Sequence, residues 1–262
     1  IANRSSLEAS MQNISVESLY IYPIKSCQGI HLNSMQIGAR GPAYDRQWML
    51  IDDQNQFLTQ RSHPMMSQIK VNLLDGSLEV AYAQSNALQI PFLSEEQKKQ
   101  SSIIQVTIWQ DKCEAYTFST DVDEWFSSVL RVKCRLVQIS DSFSRQVDQR
   151  YANPKDQTGF ADGFPELLIS TASLDLLNEK LQQKVLMNRF RPNIVISGGN
   201  AHQEDFWQKI RIGKIEFDLV KPCARCSITT VNQETGATLS KEPLKTLAGY
   251  RVQNGKVMFG QN

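Results

Sequence analysis

Ile69, Val71 and Leu73 alternate with polar residues, Asp75-Gly76 interrupts them, and Leu78, Val80 and Tyr82 take the alternation up again. A period of two on both sides of an Asp-Gly pair predicts a β-hairpin closed by a tight turn. The same reading gives a second hairpin, with Val106 to Trp109 as one strand, Gln110-Asp111-Lys112 as the turn and Cys113 to Tyr116 as the return. A third runs from Ile210-Arg211-Ile212 over Gly213-Lys214 to Ile215 through Leu219, and a further strand, Gln47 to Ile51, precedes a turn at Asp52 to Asn55. Helical spacing is rarer. Thr120-Asp121-Val122-Asp123 resembles a capping box ahead of Trp125, Phe126, Val129 and Leu130. Ser170 or Thr171 is placed to cap a helix bearing Leu174, Leu177 and Leu181. Ser94 to Ser102 reads as a solvated loop or a short exposed helix. Several hairpins with few short helices predict a mainly β fold, with barrels or sandwiches as the candidates.

The chain has 262 residues, enough for one large domain or two modest ones, and 41% of them are hydrophobic. Lys and Arg number 28 against 27 Asp and Glu. That balance argues against bulk attraction to nucleic acid or an anionic membrane, but leaves room for a small anion held by a few well-placed cations. No apolar run approaches the roughly 18–20 residues of a membrane span. The opening IANRSSLEAS lacks the apolar stretch of a secretory signal, so residues 1–12 read as a leader or a loose tail. The five cysteines are Cys27, Cys113, Cys134, Cys223 and Cys226. An odd count without a secretory signal points away from a disulfide framework and towards a reducing, cytoplasmic setting with at least one free thiol.

Four segments carry candidate chemistry. Pro222-Cys223-Ala224-Arg225-Cys226 holds a CxxC pair, but no second pair accompanies it, and His31, His63 and His202 are scattered singly, so a four-ligand zinc site is not indicated. The pair leads into Ser227 to Val231, a β-favouring run, where a thioredoxin-type motif would open a helix. Two small thiols in a β core remain one reading; a soft thiolate ligand at Cys226, favoured by the adjacent Arg225, is the other. In Tyr22 to Gly29, Lys25 and Ser26 sit at the end of a strand, with Gly29 able to let backbone approach a ligand, which fits an oxyanion site or a plain surface turn. Arg46 enters an apolar strand, as a rim charge or as a buried ligand for a planar anion. In Asn188 to Val195, Pro192 biases Arg191 towards extended backbone, so Arg191 and Asn193 would point the same way and suit a phosphate with attached hydrogen-bonding groups. The alternative is an ion pair from Arg191 to Glu204 or Asp205.

Together YPIKSCQG, YDRQW, KDQTGFADG, LLISTASL, NRFRPNI and PCARC, in that order from about residue 13 to residue 262, resemble the MOSC family. The branch resembled has an N-terminal MOSC-associated β-barrel and includes the mitochondrial amidoxime-reducing component and bacterial relatives that act on N-hydroxylated bases. The resemblance implies a β-barrel-like N-terminal domain over 13–125 and a MOSC β-barrel over 126–262, with the chain ending where relatives continue. It implies the molybdenum cofactor, Mo-molybdopterin, with Cys226 as the metal ligand and Asp162 as an acidic residue near the metal. Lys25, Ser26, Arg46, Gly163, Phe164, Arg191, Asn193, Ala224 and Arg225 would contact the cofactor. Relatives often carry Ser where Ala224 stands, so a hydroxyl contact would be missing there.

The activity so implied is a two-electron reduction of N-hydroxylated compounds (hydroxylamines, amidoximes, N-oxides). Its substrate is a small molecule, and neither nucleic acid nor membrane is a partner. Because C-x₄-C-x₂-C spacing is absent from the chain, electrons would come from a separate donor, ferredoxin-like or a flavin reductase. Two alternatives come with the same family: sulfur transfer in cofactor sulfuration, usually accompanied by a pyridoxal-phosphate lyase domain for which this chain has no room, and a cofactor carrier without turnover.

Overall fold

Side chains alternate across a strand, so a sheet covered on one face needs every second residue apolar. Val71, Leu78 and Val80 supply this for the hairpin Lys70–Leu74 and Ser77–Ala81 and are buried, while Lys70, Asn72 and Leu74 are exposed. The computed structural model describes residues 13–83 and 85–262; the leader expected over 1–12 lies outside them. The hairpin turns at Asp75 and Gly76, with Gly76 at φ +72°, and Leu88–Pro91 adds a third strand.

The fold is mainly β, as the alternation predicts, and its sheets run as open strand sets rather than closed cylinders. The largest has the order Pro222–Ala224, Lys256–Gln261, Leu168–Ser170, Ile194–Ser197, Ser15–Ile21, Ile30–Leu32, with Val252–Gln253 paired to Lys256–Gln261. Leu168–Ser170 and Ile194–Ser197 are parallel, and the helix Thr171–Lys180 lies in the crossover between them. That helix starts where its cap predicts: the Ser170 side chain accepts from the Ser173 backbone N–H. Leu177 on its buried face packs with Ile169, Phe190 and Phe259.

A second sheet runs Trp48–Ile51, Arg135–Ile139, Asp111–Thr117, Ile103–Ile108, antiparallel throughout. Its hairpin departs from the sequence reading. Ile108 pairs directly with Asp111, so the loop is Trp109-Gln110 and Trp109 belongs to the turn rather than to the strand. Ser119 holds the N-cap position of the helix Thr120–Leu130 without a side-chain hydrogen bond, and no capping box forms. Asp123 instead accepts from the Leu136 backbone N–H at 2.9 Å, because the neighbouring strand offers it a partner that the helix alone does not. Glu95–Gln100 is a short exposed helix with a reciprocal Ser94–Gln97 capping box. Ser227 to Thr230, expected to extend, forms a 3₁₀ turn entered from Cys226. The Thr229 and Thr230 hydroxyls bond back to the Cys226 and Ser227 carbonyls, offering the backbone an alternative to a strand ladder.

The two large sheets meet through the stretch after the first strand. Ile21 pairs with Ile30 in the larger sheet, and three residues on Ile24 bridges Trp48 in the other. Lys25 N donates to Trp48 O and Trp48 N to Pro23 O, at 2.8 and 3.1 Å. Gln60 and Gln233, both buried, join the halves again by exchanging amide hydrogen bonds of 3.1 and 2.8 Å. The site lies at this seam.

Candidate active site

Ser26 (φ +68°), Arg46 (φ +45°) and Arg191 (φ +56°) all hold left-handed backbone. Non-glycine residues adopt that conformation at a cost and persist there when their surroundings over-determine them. All three line one cleft, of about 130 Å³. Lys25, Asp162, Gly163, Phe164, Asn193, Ala224, Arg225 and Cys226 line it too. The residues that the resemblance assigned to metal and cofactor are therefore brought to one wall or another of a single cavity.

At one end stands Cys226. The sulfur's cationic neighbour is not Arg225, as adjacency implied, but Arg61, whose guanidinium lies 3.7 Å from Sγ. Arg225 turns away, donating to Cys223 Sγ at 3.1 Å and to Phe190 O at 2.6 Å. Consecutive residues entering a strand-to-turn junction need not face the same way, and here the Arg225 N–H is held by Val257 O at 2.7 Å. Near the same end Lys25 Nζ donates to Asp162 Oδ1 at 2.5 Å and to Phe160 O at 2.8 Å. Trp109 Nε1 donates to the same Asp162 oxygen at 3.2 Å. Partial desolvation of this exposed carboxyl would raise it, but the charge and hydrogen bond of Lys25, the Trp109 N–H and the Arg61 charge outweigh that and hold Asp162 well below the usual carboxylate range. Asp162 is thus an acceptor at neutral pH, not a ready acid. Arg145, which the sequence reading missed, steadies this loop by donating to the carbonyls of Gly159, Ala161 and Asp162.

At the other end cations gather on one ring. Arg46 and Arg191 place their guanidinium carbons 4.4 and 4.2 Å from the Tyr22 ring centroid. Arg46 also donates to Asp45 at 2.6 Å, Asn193 Oδ1 at 2.9 Å and Arg191 O at 3.2 Å. Arg191 donates to Cys27 O at 2.7 Å, and burial lowers its pKa to about 10. Its left-handed φ departs from the extended backbone expected before Pro192: it follows the 3₁₀ turn Met187–Arg189 and swings the side chain back over Tyr22. Neither Glu204 nor Asp205 pairs with it, since Glu204 accepts from Ser170 and Ser173, and Asp205 accepts from Gln261 and forms an ion pair with Arg251. Asn193 reaches the cleft wall, but its amide is committed to Arg46, Tyr20 O and Asp45; its contribution is to fix Arg46. Gly29 serves the fold rather than a ligand, because a Cβ there would run into the Tyr22 ring.

Among the described residues, Arg61, Arg191 and Arg225 form no salt bridge to a carboxylate. Arg225 Nε is buried without a hydrogen-bond partner. All three arginines are half-buried, and a guanidinium group drawn out of water is costly unless an anion joins it. Glu166 lines the same cleft; burial and the Asp45 charge push its pKa up to about 7 against the opposing Arg46. Burial likewise pushes the Cys27 thiol up to about 12, which suits packing and not ligation.

A sequence profile of the MOSC N-terminal beta barrel domain matches residues 13–133, and one of the MOSC domain matches residues 155–262. The chain belongs to the MOSC family. Among curated relatives of this MOSC protein, mitochondrial amidoxime-reducing component 1 of Mus musculus is 34% identical over 247 residues, covering 91% of this chain and 72% of its own. The Homo sapiens counterpart is 32% identical over 245 residues, covering 90% and 72%. Molybdenum cofactor sulfurase of Oryza sativa subsp. japonica is 33% identical over 276 residues, covering 98% of this chain and 33% of its own. The MOSC chain therefore spans about a third of the length of that sulfurase. Among the described residues, no helix of this MOSC protein is long and apolar enough to cross a membrane.

Proposed function

We propose that the cleft holds the molybdenum cofactor, with Cys226 as the protein ligand to the metal, and that the protein reduces N-hydroxylated compounds. One observation carries this reading: a partly exposed thiol shares a cavity with guanidinium groups that lack internal carboxylate partners. A phosphorylated pterin with a soft metal centre asks for that combination of cations and thiolate. The buried, unpartnered Arg225 Nε is a donor left over for such an anion. Arg191 and Arg225 would take the phosphate, and Arg46, fixed by Asn193 and Asp45, would face the pterin. When bound, the cofactor supplies the two-electron couple.

The balanced reaction is R–NH–OH + 2 e⁻ + 2 H⁺ → R–NH₂ + H₂O, with electrons from a separate donor protein, ferredoxin-like or a flavin reductase. Asp162, held ionised by Lys25, accepts a hydrogen bond from the substrate and orients its N–O bond. Lys25 keeps that carboxylate in place from within the protein. The five free cysteines fit a reducing compartment, which we take to be the cytoplasm. A second reading, sulfur transfer, is favoured by Cys223, which lines the same cleft and meets Arg225 at 3.1 Å.

Molybdenum analysis of protein made in a cofactor-competent host, with Cys226→Ser beside it, separates the readings. The reductase reading expects bound molybdenum and hydroxylamine reduction in the parent, with reduction abolished and the melting temperature kept in Cys226→Ser. Full activity of Cys226→Ser would refute the ligand assignment. A molybdenum-free protein carrying persulfide on Cys226 would favour sulfur transfer.

A further inference from the structure

Trp109 is an unusual residue for its place. It is the first of the two loop residues in the hairpin joining Ile103–Ile108 to Asp111–Thr117, and its φ is +55°. Hairpins of this length give a positive-φ first position to glycine or asparagine, because a bulky side chain there is strained. The sequence nevertheless puts its largest side chain at this point and leaves it 47% exposed. Local folding does not explain the choice.

Its contacts reach residues at the edge of the cleft, of which Asp162 lines it. The indole N–H donates to Asp162 Oδ1, the oxygen that also receives Lys25. The Arg61 guanidinium lies 4.4 Å from the indole centroid, and the same guanidinium reaches Cys226 Sγ at 3.7 Å. The Phe57 ring leans on the indole at 5.2 Å between centroids and 56° between planes. A single aromatic side chain at the rim is thus tied to both residues assigned to the chemistry. Among the described residues, the hydrogen bonds to the Asp162 carboxylate all end on Oδ1, and its side chain is 59% exposed, so Oδ2 is an open acceptor next to the indole.

We propose that Trp109 and Asp162 Oδ2 form the substrate subsite of this cleft, one that selects planar, N–H-bearing groups of the aromatic amidine type over non-planar hydroxylamines. The inference rests on the reductase reading. A planar ring stacks on the indole surface left open by Arg61, and its amidine N–H donates to Oδ2. Such a pair places the adjoining N–OH towards the Cys226 end. An aliphatic hydroxylamine of similar size offers no flat face and gains little from the indole. Trp109 is a specificity residue in this account, and Arg61 positions it.

The test uses Trp109→Gly, which relieves the backbone while deleting the ring, and Trp109→Phe, which keeps a ring while deleting the N–H. Calorimetry with benzamidine, an unreactive planar probe, is run on the cofactor-loaded protein and both variants. Loss of one stacking partner weakens benzamidine about tenfold in Trp109→Gly, with Trp109→Phe recovering most of it. The ratio of kcat/KM for benzamidoxime over N-cyclohexylhydroxylamine falls by about the same factor in Trp109→Gly. Glycine suits the turn, so the melting temperature of that variant does not fall and a folding defect is not the cause. Benzamidine binding that is absent from the parent or unchanged in Trp109→Gly overturns the subsite, as does an equal loss for both substrates. Benzamidine binding that depends on Trp109 in a protein reducing neither substrate would instead sink the reductase reading and leave the subsite standing.

Discussion

Replacing Asn193 by Ala should loosen the seam between the two halves, by an amount that can be worked out from its contacts. The side chain is 1% exposed. It accepts from Arg46 at 2.9 Å and donates to Tyr20 O and Asp45 Oδ1, each at 3.1 Å. A neutral hydrogen bond contributes about 1 kcal/mol net and one to a charged group about 2, which sets an upper figure of about 5 kcal/mol. Some of this survives the change. Asp45 keeps the Tyr22 N–H at 2.8 Å and Arg46 at 2.6 Å, and Arg46 keeps Arg191 O at 3.2 Å. We therefore expect a loss of about 3 kcal/mol, a large part of a typical folding free energy. Urea unfolding reads it as a midpoint lower by about 1 M if the slope is about 3 kcal/mol/M. Asn72→Ala is the control, because this exposed amide makes one bond, to Glu79 at 3.0 Å; its effect should stay within about 0.5 kcal/mol. An Asn193→Ala midpoint shift no larger than the control's would show that the buried knot does not hold the halves together. Freed from Asn193, Arg46 should also bind the cofactor less well, read as lower molybdenum per protein.

Glu166 should give the protein a pH dependence of definite sign. Its carboxyl keeps its proton up to about pH 7 in the folded state, against an ordinary 4.5, so the stabilisation is complete below 4.5 and is lost as pH rises towards 7. At 1.36 kcal/mol per pKa unit the loss is at most about 3 kcal/mol. Urea midpoints at pH 5 and pH 8 should therefore fall more in the parent than in Glu166→Gln, and parallel changes would refute the assignment. Gly29→Ala should drive a methyl into the Tyr22 ring and disturb the two guanidinium groups upon it. Overpacking of that kind costs about 2 kcal/mol, so thermal unfolding should come about 4–8 °C lower; an unchanged melting temperature would mean that the ring can move aside.

Where a turn or a cap depends only on near neighbours, the chain by itself determined it. Asp75-Gly76 and Gly213-Lys214 turn where their conformational freedom allows, and Ser170 caps its helix, because each outcome depends on residues a few positions apart. The six ordered motifs likewise pointed to the residues that line the cleft. What those residues do there was decided by distant partners. Arg61, 165 positions from Cys226, supplies the charge beside the sulfur, and no spacing rule reaches that far. Asp123 leaves its expected capping box for Leu136 N, and Trp109 leaves its strand for the turn, where it can reach Asp162. Hydrogen bonds and guanidinium stacking act over a few ångströms, so their partners are fixed only when the folded chain brings separate segments to that distance.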